Sequence, residues 1–328
     1  MAAVSVSSRV FVLALALLAA VTCRGCLAAA LSTKYYDKTC PAVQSVVRSA
    51  MARAVAADPR AGASVLRLFF HDCFVNGCDA SVLLDDDVSS QFTGEKGASP
   101  NLNSLRGFEV VDAVKAAVEA SCKATVSCAD VLALASRDAV ALLGGPKWNV
   151  KLGRKDARTA SQAAANTNLP GPGSSLASLV ASFAAKGLSA RDMTALSGAH
   201  TVGRARCVTF RGRVNGGDAD AVNATFAAQL RQACPASGGA DGSLAPLDAE
   251  TPDAFDNGYF RELAQRRGLL HSDQELFNGG SQDALVRKYA GNGAAFASDF
   301  AKAMVRMGSL APAVGTPLEV RLNCRRPN

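Results

Sequence analysis

The sequence predicts an all-α fold, and three observations carry that reading. Ala-rich segments recur with apolar residues at helical spacing, several of them stop at Gly or Pro, and no sustained alternation of apolar and polar residues marks a sheet. In chain order, Val43, Val46, Val47, Ala50, Met51 and Ala54 make one face of a helix that stops before Asp58-Pro59. Further helices are expected at about 61–74, 106–121 and 128–143, the last ended by Gly144-Gly145-Pro146. A helix over 176–185 follows, and Ser189 with Asp192 three residues on resembles a capping box that opens another, running to about Gly198. Segments 221–233, 255–266, 282–289 and 294–307 complete the set. The Pro/Gly-rich LPGPGSS at 169–175 is the best boundary between two lobes, and no repeat or low-complexity tract is visible.

The first thirty residues stand apart. Arg9, the apolar run FVLALALLAAV and the small AAA at 28–30 have the layout of a secretory signal peptide, so 1–30 is set aside and 31–328 is read as the folded protein. The run is too short to cross a bilayer, which takes about 20 apolar residues, and no later stretch is long enough. Eight of the ten Cys lie beyond the leader, an even number that argues for four disulfides among about 105 formal connectivities. No CxxC remains there, which disfavours metal-thiolate and dithiol redox chemistry. Leaving out Arg9 and Arg24 from 35 basic residues gives 33 against 28 acidic, a net of +5. That mild excess suits anionic surroundings such as a cell-wall polymer, but it forms no Lys/Arg run, so nucleic acid is a poor partner. The sequon Asn223-Ala224-Thr225 fits a glycosylated surface, and RLNCRRPN at the end carries neither an ER-retention signal nor a GPI-type tail. Extracellular release as a monomer is the expectation.

The stretch LRLFFHDCFVNGCDAS at 66–81 concentrates the chemistry. On a helix, Arg67 and His71 at i and i+4 project from one face, where both can meet one small molecule. An imidazole takes and returns a proton near neutral pH, and a guanidinium stabilises negative charge developing on oxygen. Phe69 and Phe70 beside them imply a partly dry pocket. The only other His are His200, in ALSGAHTVG, and His271, to which no role is assigned. Three His could make a zinc site but would leave no imidazole for acid–base work, and no HExxH occurs. Past His71, Asp72, Asp79 and Ser81 offer side-chain oxygens and Val75 and Gly77 offer carbonyls, the hard ligands calcium prefers. The twelfth position from Asp72 is Leu83 where an EF-hand has Glu, so the loop is not an EF-hand.

RLFFHDCFVNGCDAS, SCADVLALASRDAV, ALSGAHTVG, FDNGYF and GLLHSDQELF, in that order between Tyr36 and Cys324, resemble the secretory (class III) plant haem peroxidases. The resemblance implies two helical lobes around one haem b, a distal lobe of about 31–170 and a proximal lobe of about 171–310, with few short strands and a C-terminal segment packed back through Cys324. It implies His200 as axial iron ligand with Asp273 behind it, and Arg67, Phe70 and His71 on the distal side with Asn101 orienting His71. Glu95 and Pro170 match the same hydrogen-bond network; Glu95 also joins the first calcium set, and Pro170 borders the substrate. A second calcium is implied at Thr201, Asp248, Thr251, Ala254 and Asp256. The implied disulfides are Cys40–Cys122, Cys73–Cys78, Cys128–Cys324 and Cys207–Cys234, and Asp130 with Arg154 matches a buried ion pair. In the implied reaction, hydrogen peroxide loses a proton to His71 at one oxygen and regains it at the other, while phenolic donors are oxidised one electron at a time. At the exposed rim, where relatives carry aromatic rings, this chain has Ser99, Gly173 and Thr209. The competing reading is a disulfide-stapled calcium-binding wall protein without turnover, for which Arg67, His71, Asn101, His200 and Asp273 would have no joint use.

Overall fold

The structure, a computed structural model, describes residues 30–216 and 222–328; the leader expected at 1–30 therefore lies outside the described residues except for Ala30. Among the described residues there are thirteen α-helices and only four very short strands. The first four helices are α1 Val43–Ala57, α2 Arg60–Asn76, α3 Phe108–Ser121 and α4 Cys128–Leu142. After the short α5 Gln162–Asn168 come α6 Leu176–Ala185, α7 Ala190–Ser197, α8 Cys207–Asn215 and α9 Ala224–Ala233. The remainder are α10 Gly258–Ala264, α11 His271–Gln274, α12 Asp283–Gly291 and α13 Gly293–Met307.

Helix α4 is the axle of the first half. Ser127 caps it by accepting from Asp130 N at 3.2 Å, and twelve of its fifteen residues are buried. Helix α2 packs along α4, and α1 packs on both α3 and α4. In the second half α7 packs on α13 and α10 on α12, while α13 also reaches α2. The capping box at Ser189 forms as expected, Asp192 N donating to Ser189 Oγ at 3.1 Å and Ser189 N to Asp192 Oδ2 at 3.0 Å. Helix α2 ends at Gly77, whose φ of 88° and lack of a Cβ are both needed, since a Cβ would fall 2.5 Å from the Ala311 carbonyl carbon. That turn puts Cys78 beside Cys73.

Two strand pairs tie distant segments together. β1 Asp156–Ala157 pairs antiparallel with β4 Leu318–Glu319, and β2 Arg204–Arg206 with β3 Leu244–Pro246. All four disulfides follow the pairing that the resemblance implied. Cys128–Cys324 closes the longest loop, at a sequence separation of 196, and so constrains the unfolded chain most. Around it the C-terminal segment is held by Arg321, fully buried, which donates to Ala80 O at 2.6 Å and Cys324 O at 3.0 Å.

Three helices, α5, α8 and α11, are absent from the sequence reading. Helix α8 buries only Cys207, Phe210, Arg213 and Val214 and carries Arg on its buried face, so its apolar period is weak. The helix expected over 255–266 is shorter, because Asp256 and Asn257 are committed elsewhere: Asn257 Nδ2 donates to Tyr289 O and Ala290 O, each at 2.9 Å. Helix α9 starts after Asn223, whose Oδ1 accepts from Phe226 N at 3.1 Å. No helix among the described residues is long and apolar enough to cross a membrane.

Candidate active site

Helix α2 places Ala63, Arg67 and His71 on one face at four-residue spacing. At its first turn this face meets the backbone just after His200: a Cβ on Gly203 would lie 3.3 Å from Ala63 Cβ. The start of the α2 face and the segment just after His200 therefore lie side by side. His71 is buried, and Phe70 beside it packs against Phe74 and Phe183 with ring centroids 4.8 and 6.2 Å away.

The His71 ring is oriented from behind. Asn101 Nδ2 donates to Glu95 O at 2.8 Å, which turns Asn101 Oδ1 toward the imidazole, 2.6 Å from Nδ1. Nδ1 thus carries the hydrogen and Nε2 keeps its lone pair, which accepts from Arg67 Nε at 3.1 Å. Burial first, and the Arg67 charge second, push the His71 pKa down to about 3, so the imidazole is a neutral base throughout the physiological range. Arg67 is exposed yet has protein around most of its length, and that partial desolvation lowers its pKa to about 10, still charged at neutral pH. Its other donors go to Ser104 O, Ser104 Oγ and Pro100 O at 3.0 to 3.1 Å. Ser104 is a positioning residue missing from the sequence reading; its place three residues beyond Asn101 in SPNLNS is the available signal.

His200 sits on a short 3₁₀ turn that follows α7. Its Nδ1 lies 2.7 Å from Asp273 Oδ1, and Asp273, itself buried, also accepts from Tyr259 OH at 3.0 Å and Leu270 N at 3.3 Å. The side chain of His200 is 39% exposed, against 3% for its carboxylate partner. A partly exposed imidazole with Nδ1 bound to a buried carboxylate has the donor chemistry that would suit iron. The residues present fit a haem. Tyr259 was quoted within FDNGYF without a role; here its phenol holds Asp273, and burial with the Asp273 charge raises its pKa well above the ordinary value.

The oxygen clusters adjoin each imidazole. Asp72 is fully buried and neither carboxylate oxygen has a hydrogen-bond partner; Ser81 Oγ and Glu95 Oε2 are buried and unpartnered as well. Burial, then the neighbouring Asp79, pushes Asp72 well above the usual carboxylate range, and burial lifts Asp79 and takes Glu95 to about 7. Val75 O accepts from Lys186 Nζ at 3.1 Å and Asn168 Nδ2 at 3.4 Å, while Gly77 follows at the turn. In the second cluster Thr201 Oγ1 is 3.0 Å from Asp248 Oδ2 and 3.3 Å from Asp256 Oδ1. Thr251 Oγ1 is likewise 3.3 Å from Asp248 Oδ2 and 3.1 Å from Asp256 Oδ2, and Ala254 N donates to Thr251 O. Each hydroxyl has one hydrogen for two carboxylates, so one close oxygen pair per Thr lacks a proton between its members. A Cβ on Gly258 would run into Asp248 Oδ2 and Asp256 Oδ1, so the cluster needs glycine there. No group of three or more His, Cys, Asp or Glu side chains among the described residues is arranged to hold a metal by itself; both clusters draw on hydroxyls and carbonyls besides carboxylates.

Asp130 and Arg154 do form a buried pair, at 2.8 Å. Ser99, Gly173 and Thr209 are all exposed, Pro170 is half-buried, and Asn223 is exposed. His271 lies 3.7 Å from Glu275.

A sequence model described as Peroxidase matches residues 47–292. The chain is 56% identical to Peroxidase P7 of Brassica rapa subsp. rapa over 299 residues, covering 91% of this chain and 100% of that protein. It is 53% identical to Peroxidase 4 of Vitis vinifera over 305 residues, covering 93% and 94%, and 54% identical to Peroxidase 70 of Zea mays over 310 residues, covering 92% and 95%. With the helical fold, the paired imidazoles and likeness over nearly the whole length, the chain belongs to the peroxidase family, is an enzyme of the plant haem peroxidase type, and takes hydrogen peroxide and phenolic donors as substrates.

Proposed function

We propose that Arg67 and His71 carry the peroxide chemistry and that His200 is the residue that would hold the iron of a haem. One observation supports this division most strongly: both imidazoles have Nδ1 bound to an oxygen, an amide for His71 at 2.6 Å and a carboxylate for His200 at 2.7 Å. The neutral Asn101 leaves His71 a weak base able to pass a proton on, whereas the charged Asp273 makes His200 a stronger donor toward a metal. When bound, haem supplies the two-electron reduction of hydrogen peroxide and the one-electron oxidation of phenols. His71 Nε2 takes the proton from one peroxide oxygen and delivers it to the other, so that water can leave. The Arg67 guanidinium, held by Ser104 and Pro100, stabilises negative charge on the departing oxygen, and Phe70 keeps water from His71. Distal residues lie within about 31–170 and proximal ones within about 171–310. At the rim, Ser99, Gly173 and Thr209 offer no ring to an aromatic donor and Pro170 provides the apolar edge. The test is an absorption spectrum of the purified protein titrated with peroxide. A haem band that shifts in the wild type, and is displaced or lost in His200→Ala, supports the assignment; a wild-type band in His200→Ala excludes His200 as ligand.

Two calcium ions belong to the same reading, one at Asp72, Val75, Gly77, Asp79, Ser81 and Glu95, the other at Thr201, Asp248, Thr251, Ala254 and Asp256. Unpartnered buried carboxylates in the first, and hydroxyls caught between carboxylates in the second, are what a hard cation neutralises. Because Asp72 and Thr201 adjoin His71 and His200, chelation is expected to lower the melting temperature and to shift the haem band together. A ligand present at 100 times its Kd contributes about 2.7 kcal/mol to the native state. Melting curves and spectra before and after verified calcium removal check this, and coincident curves would remove both sites. Release from the cell and a glycan on the exposed Asn223, whose Nδ2 stays free of the helix cap, complete the proposal.

A further inference from the structure

A surface groove of about 470 Å³ lies between the first turns of α1, the end of α4 and the segment after it. Its walls include Gln44, Arg48, Arg137, Asp138, Lys147 and Trp148, and none of Arg67, His71 or His200. Asp138, 2% exposed, is already satisfied: Arg137 donates to its two oxygens at 3.0 Å each and to Gln44 Oε1 at 2.9 Å. Arg48 stands 3.5 Å from the same carboxylate with 41% of its side chain exposed, and Lys147 is exposed with no ion-pair partner among the described residues. The groove therefore holds three cations against one carboxylate, more positive charge than its own hydrogen bonds require. Beside them Trp148, the only Trp of the chain, is half-buried against Phe300 at 6.1 Å, with the rest of its ring lining the groove.

We propose that this groove binds an acidic oligosaccharide, a short run of uronate sugars. Arg48 and Lys147 meet the carboxylates, Arg48 with a planar fork that matches them. Trp148 offers its electron-rich face to the C–H side of a sugar ring, and Arg137 holds Gln44 and Asp138 in place. Excess positive charge selects an acidic sugar over a neutral one, and the indole selects a sugar over a simple anion.

The experiment uses the intact haem protein with three probes: the galacturonate trimer, the neutral galactose trimer and inorganic phosphate. Calorimetry gives affinity, and tryptophan emission gives location, because every change in it arises at Trp148. The galacturonate trimer should shift the emission saturably and weaken as salt rises. Lys147→Glu turns one attraction into a repulsion at an exposed site and should lower the affinity roughly three- to tenfold, with the peroxide reaction unchanged. Trp148→Phe should weaken binding while the charge stays the same. Three results would each overturn the proposal: no emission shift, equal affinity in Lys147→Glu, or phosphate or the galactose trimer saturating the groove at the same concentration. None of these touches the peroxide chemistry, which the haem spectrum tests separately.

Discussion

Replacing His71 with alanine is expected to slow the reaction with hydrogen peroxide by about 10² to 10⁴-fold, the usual worth of a positioned acid–base group. The variant loses the neutral base in contact with Arg67, since Nε2 of His71 is the atom that Arg67 Nε reaches at 3.1 Å. Haem should be retained, because Asp273 and His200 are untouched. The sign of the pH dependence follows from the low pKa of about 3. Above it the ring is neutral and competent; as pH falls through it the ring takes a proton and the peroxide step should fail. Stopped-flow rates from pH 7 downward check both statements. Asn101→Leu should act in the same direction but less, because it removes only the acceptor that fixes the tautomer. A His71→Ala variant that consumes peroxide at the wild-type rate would dismiss the base.

Arg154→Ala is expected to destabilise the fold by about 3 to 5 kcal/mol, the cost of stripping the partner from a buried charge. Asp130 is fully buried and accepts from Arg154 Nη1 at 2.8 Å, Tyr36 OH at 2.9 Å and Gly153 N at 2.7 Å. The last two bonds survive the change, but they are neutral donors and do not cancel the charge. Arg154 also ties this first half of the chain to the end of α13, donating to Gly308 O at 3.0 Å through Nε. Removing both charges together would not restore stability as it does for an isolated pair, because Tyr36 OH and Gly308 O would then be left short of partners. Thermal denaturation should show a fall on the order of 10 °C. A fall under about 2 °C would mean that Asp130 is neutral or solvated, contrary to its burial.

The sequence by itself determined the helical class and the peroxidase motifs. Arg67 and His71 sit four apart on a helix, and local geometry suffices to put them on one face. The capping box at Ser189 is equally local. Spacing alone could not choose among the disulfide pairings; the resemblance did, and Cys128–Cys324 joins residues 196 apart. Part of the polar scaffolding was not legible. That Tyr259 holds Asp273, that Ser104 holds Arg67 and that Arg321 anchors the C-terminal segment are contacts between side chains whose types occur in any sequence. The tertiary structure decided these, because the meaning of a Tyr or a Ser depends on which charge burial leaves beside it. The same holds for helix α8, whose amphipathic period is broken by Arg213, a buried residue whose Nε reaches Gly268 O at 3.1 Å. Short-range periodicity is written in the chain; the partners of Tyr259, Ser104 and Arg321 are written in the fold.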